Sequence, residues 1–223
     1  EFSFTISTAD GSAADTPLPA ETTVSNDADG SFHFGDIAFA KTGTYLYDVA
    51  EDTSALPAGV KAVTQGAERV EVDVTVNEAG ELVASVKAPE GGLSFVNEYG
   101  TNDAVVSVNA TKAIVANGLE APALNDGDFS FTISADTEGA PLPDETTVTN
   151  RGGNVSFGPM TFAKAMLGNE MSKTFDYTIS ESGSKPGVTN DSAKSFSVTV
   201  TDDGKGNLTA EMSGPVSFAN TYA

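Results

Sequence analysis

Few side chains in this sequence could do chemistry unaided. Cysteine is absent, which removes thiolate metal ligation, disulfides and a cysteine nucleophile together. Any covalent staple has to be built from other groups. The single histidine, His33, alternates with Phe32 and Phe34 and reads as a strand-face residue; alone it supports neither a histidine metal site nor a Ser-His triad. The segments DADG at Asp27 and DDGKGN at Asp202 resemble pieces of calcium loops but lack the spaced ligands and the distal glutamate, so they read as turns. No metal or cofactor is expected. There is no glycine-rich phosphate segment between a strand and a helix signal, and without tryptophan no aromatic platform for sugars can be read. Lysines, carboxylates and carboxamides remain, and their reactivity depends on the elements that position them.

Those elements come in two sets. FSFTIS at Phe2–Ser7 returns at Phe129–Ser134, and PLPAETTVSN at Pro17 returns as PLPDETTVTN at Pro141. FGDIAFAK at Phe34 answers FGPMTFAK at Phe157, YDVAED at Tyr47 answers YTISES at Tyr177, and FVNEY at Phe95 answers FANTY at Phe218. Blocks in one order mean one ancestral domain, duplicated. Spacings differ by a few residues, apart from an insertion of about seven between Lys164 and Tyr177, where a loop would tolerate it. The copies span 1–100 and 104–223, joined by the polar GTNDA at Gly100–Ala104, a link short enough to favour a rod-like pair.

Within each copy apolar and polar residues alternate: Phe2, Phe4, Ile6; Val70, Val72, Val74, Val76; Phe129, Phe131, Ile133; Phe196, Val198, Val200. That is the period of half-buried strands. Turn signals fall between them at DADG, NEAG, RGG and DDGKGN. The pattern predicts an all-β chain of two tandem sandwiches, with a helical turn possible only at Leu119–Leu124 and Ala165–Met171.

The 32 acidic against 11 basic residues give a formal charge of -21, which repels nucleic-acid backbones and anionic membrane surfaces. Neither is expected as a partner. No apolar run approaches the roughly 18 residues of a membrane span. The opening EFSFTIS reads as the middle of a domain rather than a leader, so the natural protein is expected to extend upstream. The absence of cysteine, with abundant Thr, Gly, Asp and Asn, fits an exported protein.

The ordered blocks resemble the pilin isopeptide-linkage domains of Gram-positive pilus backbones and surface adhesins, which are Ig-like sandwiches of the CnaB type. The resemblance is carried by VNATKAIV with Lys112, DFSFTI, PLP, FGPMTF, FDYTISE with Glu181, and FANTY with Asn220. It implies that Lys112 and Asn220 lie on adjacent first and last strands, with Glu181 facing them across the core. Lys112 would supply the amine, Asn220 the acyl carbon, and Glu181 the proton shuttle, hydrogen-bonded to the Asn carbonyl. A lysine attacks only as the neutral amine, the form an apolar interior favours, and the same interior favours a protonated carboxyl. Phe218, Tyr177 and Ile179 are expected to line the site. The reaction runs once per domain and is not turnover.

In copy one the resemblance assigns Glu51 and Asn97 to the same places, but the counterpart of Lys112 would fall before Glu1. This copy is therefore expected to lack its first strand, leaving Asn97 unbonded and a sheet edge that a strand from another chain could fill. Lys41, Lys61 and Lys87 are not expected to substitute.

The resemblance implies a structural stalk of an extracellular, cell-wall-anchored surface protein, contacting neighbouring domains of the same protein. The rival reading is an adhesin module that recognises a host protein or glycan, with the loop Ala165–Lys173 as its first candidate surface. Neither a pilin-type YPKN motif nor an LPXTG-like sorting signal occurs in the sequence.

Overall fold

The computed structural model describes residues 1–89, 92–116, 118 and 120–223. The chain divides into two compact units, Glu1–Tyr99 and Gly100–Ala223. Unit 1 contains β1 (Ser3–Thr8), β2 (Thr23–Ser25), β3 (Gly43–Glu51), β4 (Val60–Ala62), β5 (Ala67–Val76), β6 (Leu82–Lys87) and β7 (Asn97–Tyr99). Unit 2 contains β8 (Ala104–Ala116), β9 (Ser130–Ala135), β10 (Thr147–Thr149), β11 (Asn154–Phe162), β12 (Ser172–Ser182), β13 (Val188–Thr189), β14 (Lys194–Asp202), β15 (Leu208–Met212) and β16 (Val216–Tyr222). Short 3-10 turns occur at Thr53–Ala55 and Lys164–Leu167. Leu119 lies outside the described residues, and 120–124 are not helical.

Each unit has one five-stranded sheet of the same order: β2-β1-β3-β5-β6 in unit 1 and β10-β9-β12-β14-β15 in unit 2. Even the register repeats, since Phe4 stands opposite Glu51 as Phe131 stands opposite Glu181. The PLP blocks make the same contact in both units. The buried Tyr47 donates to the carbonyl of Pro17 at 2.8 Å and Tyr177 to that of Pro141 at 3.0 Å. Burial raises both phenols, Tyr177 to about 12.

The second sheets differ. Unit 2 carries four strands in the order β11-β8-β16-β13, whereas unit 1 pairs only β4 with β7. No counterpart of β8 occurs among the described residues of unit 1. In unit 2, β8 is the central hydrogen-bonding partner, antiparallel to β11 on one side and parallel to β16 on the other. A strand needs a neighbour to satisfy its backbone. Accordingly FGDIAFAK forms no strand in unit 1, although the equivalent FGPMTFAK supplies most of β11.

Packing follows pairing. Val155, Phe157, Met160, Phe162, Val216 and Phe218 are buried in unit 2, while Phe32, Phe34, Ile37, Phe39, Leu93 and Phe95 at the same places in unit 1 are only partly covered. Strand β6 is exposed along its whole length, whereas its counterpart β15 buries Leu208.

Candidate functional site

Lys112, Glu181 and Asn220 each occupy an inward position in a strictly alternating strand. Lys112 follows Val108 and Ala110 on the core face of β8, Asn220 follows Val216 and Phe218 on β16, and Glu181 continues Phe175, Tyr177 and Ile179 on β12. Alternation thus drives three polar side chains into the interior. β8 and β16 are adjacent and parallel in one sheet, and β12 belongs to the other. In register Lys112 stands beside Phe218 and Asn220 beside Ile114, so the lysine must reach along the sheet toward the carboxamide.

The reach ends on Glu181. Lys112 Nζ lies 2.8 Å from Glu181 Oε1, with both side chains fully shielded from solvent. Asn220 Nδ2 donates to the same oxygen at 3.1 Å. One carboxylate oxygen therefore touches both the nitrogen that would lose protons and the nitrogen that would leave with one. Moving one proton from the ammonium to the carboxylate gives a neutral amine and a neutral acid without changing the net charge of the pocket. Despite the short contact, Lys112 Nζ has no aligned hydrogen-bond acceptor, and Glu181 Oε2 has no partner. Under-satisfied polar atoms inside a core are costly, of order 1–3 kcal/mol each.

The surroundings add one residue to the sequence reading and differ from it in another respect. Phe129 supplies a ring beside Nζ, 4.6 Å from its centroid. Phe218, beside Lys112 in register, packs against Phe131 at 5.0 Å, and Tyr177 stacks on Phe196 at 5.2 Å. Secondly, Glu181 meets the amide nitrogen of Asn220 rather than its carbonyl. Asn220 Oδ1 accepts the backbone N–H of Asp191 at 2.8 Å, and Nδ2 also donates to Asn190 Oδ1 at 3.2 Å. Asn190 and Asp191 had no mark in the sequence beyond a polar step after an alternating pair.

The profile of the FctA family, the Spy0128-like isopeptide containing domain, matches residues 1–100 and 108–223. The chain belongs to this family. Solved structures similar to this isopeptide-family chain include the major pilin from Streptococcus pyogenes. It is 16% identical, with a TM-score of 0.35, covering 99% of this chain and 90% of that one. Another is the T-13 major pilin of S. pyogenes serotype GAS131465, also 16% identical, with a TM-score of 0.32 and coverages of 100% and 89%. No curated protein matches the chain.

The first isopeptide-family domain holds half of the site. Asn97 Nδ2 donates to Glu51 Oε1 at 2.6 Å. Glu51 Oε2 and Asn97 Oδ1 are buried without partners. Beside them opens a groove of about 340 Å³ lined by Phe2, Phe4, Val60, Phe95, Asn97 and Tyr99. Phe4 and Phe95 correspond to the fully buried Phe131 and Phe218 of unit 2.

None of the remaining lysines of unit 1 replaces Lys112. Lys41 and Lys61 are exposed, and Lys61 stands opposite Glu98. Lys87 pairs with Glu71 at 2.8 Å and also with Asp73, both on the neighbouring strand. His33 is exposed, and no cluster able to hold a metal occurs among the described residues. The DADG and DDGKGN segments form turns closed by Asp27, Asp29 and Asp203. Among those residues no helix is long and apolar enough to cross a membrane.

Proposed function

We propose that the chain is a shaft module of an extracellular bacterial surface fibre whose second domain is closed by a Lys112–Asn220 isopeptide bond. The observation that carries this reading is the shared contact of Glu181 Oε1 with Lys112 Nζ at 2.8 Å and Asn220 Nδ2 at 3.1 Å inside a sealed pocket. Nζ attacks Asn220 Cγ, the Cγ–Nδ2 bond breaks, and Glu181 passes the proton taken from Nζ to the departing ammonia. The fold holds the reactants together, so the step is intramolecular and occurs once. A bond between the first and last strands carries tension directly along the shaft. Membership of the isopeptide family supports this role, as does the fact that all three side chains sit at inward strand positions.

The loop after β11 fits a spacer better than a ligand-binding adhesin surface. Leu167 turns into the core, while the ammonium groups of Lys164 and Lys173 donate to the carbonyls of Glu170 and Met166. In the first domain the groove beside Asn97 suits a β8-like strand, because in unit 2 that strand runs alongside Phe218 and Asn220, the counterparts of Phe95 and Asn97.

Intact mass spectrometry tests the bond. The wild-type chain is expected to be lighter than its sequence by one ammonia, and Glu181→Ala to have the full sequence mass. A wild-type chain at full mass, or a Glu181→Ala chain that still loses ammonia, would overturn the assignment.

A further inference from the structure

The bond proposed above needs more than an amine and a proton shuttle. When Nζ adds to Cγ, negative charge develops on Asn220 Oδ1, and a donor aimed there is commonly the largest single contribution to rate in acyl transfer. Asn220 Oδ1 has such a donor, the backbone N–H of Asp191 at 2.8 Å.

The loop carrying that N–H is fastened on several sides. β13 pairs with the end of β16, matching Val188 with Tyr222 and Thr189 with Thr221, which brings Asn190 and Asp191 beside Asn220 and Ala219. The Asp191 carboxylate accepts the N–H of Ala219 at 2.9 Å through Oδ2, and the N–H of Ser192 at 2.8 Å and the ammonium of Lys194 at 2.9 Å through Oδ1. These contacts hold it at about 2, the Ala219 N–H having the largest effect, so it remains an anion across the physiological range. Asn190 uses its amide nitrogen on the Gly183 carbonyl at 2.9 Å, just beyond Glu181 on β12, and its oxygen on Asn220 Nδ2. It ties the leaving nitrogen to the strand end that bears the proton shuttle.

Unit 1 lacks both devices. β4 matches Ala62 with Asn97, so Ala62 and Val63 occupy the places of Asn190 and Asp191. The Val63 N–H goes to the carbonyl of Val96 at 2.8 Å. Asn97 Oδ1 is left buried and unbonded.

We infer that the Asp191 backbone N–H, aimed by its own carboxylate and by Asn190, is the oxyanion-binding group for amide formation at Asn220, and that Ala62–Val63 deprive Asn97 of it. Asn97 is then a poor acyl donor independently of any lysine, and the Asn190–Asp191 pair distinguishes the reactive copy from the unreactive one. This inference rests on the Lys112–Asn220 bond.

The test is the rate of bond formation. Full-length chain is made by cell-free synthesis, quenched in denaturant at intervals and weighed. Asn190→Ala with Asp191→Val, the residues of copy one, is expected to turn the residue-191 N–H away from Oδ1, as the Val63 N–H turns to the Val96 carbonyl, and to lengthen the half-time of ammonia loss by about a hundredfold, the usual effect of losing one oxyanion donor. Asp191→Asn keeps an acceptor for the Ala219 N–H and is expected to recover most of the rate. Folding is checked separately by amide NMR spectra in a Lys112→Arg background, where no bond can form. If the double variant does not fold there, Asn190→Ala alone decides, with slowing of roughly tenfold expected. A folded variant that closes its bond at the wild-type rate overturns the inference. A wild-type chain that never loses ammonia overturns the underlying bond instead, so the two failures are distinguishable.

Discussion

The two units present one site in two states of completion, at equivalent register positions. In unit 2 the glutamate, the asparagine and a lysine share a sealed pocket. In unit 1 the glutamate and asparagine meet at 2.6 Å beside an open groove, with an oxygen of each left unpartnered. One strand accounts for most of the contrast. β8 brings the amine, pairs with β11 and β16, and sets Lys112 against the Phe129 ring. Among the described residues no counterpart occurs in unit 1, where β11's sequence equivalent stays irregular and β6 is exposed along its whole length. The candidate site and the structural core of unit 2 are therefore built by the same element.

The largest effect that would sharpen this contrast is expected from Glu181→Ala. It removes the proposed cross-link, which by chain-entropy reasoning would be worth about 4–5 kcal/mol for a loop of this length. It also leaves Lys112 buried without its partner, a mechanism that typically costs about 3–5 kcal/mol. In thermal unfolding followed separately for the two units, unit 2 should fall from the more stable to the less stable. If its midpoint stays above that of unit 1, the bond is not what makes the units unequal.

A smaller effect separates the aromatic pair Phe218 and Phe95. Phe218 is 1% exposed, so Phe218→Ala should cost about 3–5 kcal/mol. Phe95 is only partly covered, and Phe95→Ala should cost roughly half as much, since less surface returns to water. Equal costs in denaturant titrations would mean that the groove of unit 1 is closed in solution.

The smallest expected effect is in acid. The Ala219 N–H and the Lys194 ammonium hold the Asp191 carboxyl at about 2, below its ordinary 3.8. A carboxyl depressed by folding adds stability that is complete above the unfolded value and fades as pH falls toward the folded one. Between about pH 4 and 2, unit 2 of the wild type should thus lose more stability than the Asp191→Asn variant. Parallel pH profiles would break the clamp described for this loop.

Much of this is legible in the sequence. Strict alternation placed the strands, and repeated blocks fixed the duplication. The lysine, glutamate and asparagine were singled out by the resemblance of the ordered blocks to the pilin isopeptide-linkage domains, and all three side chains fall at inward strand positions. What the sequence did not show was pairing across distance. FGDIAFAK and FGPMTFAK are nearly the same peptide, yet only the second is a strand, because β8 lies beside it. Phe129 was visible as a strand residue but not as the ring beside Nζ. The contact between Asp191 and Asn220 uses a backbone N–H, which every residue but proline carries, so composition and motif could not single it out.

The central claim is that one domain is cross-linked and the other is not. Proteolysis of the wild-type chain followed by fragment mass mapping tests it most directly. The account predicts a branched fragment joining the peptide of Lys112 to that of Asn220, lighter by one ammonia, and an unmodified linear peptide containing Asn97. Linear peptides at both asparagines, or a branch at Asn97 from Lys41, Lys61 or Lys87, would contradict it.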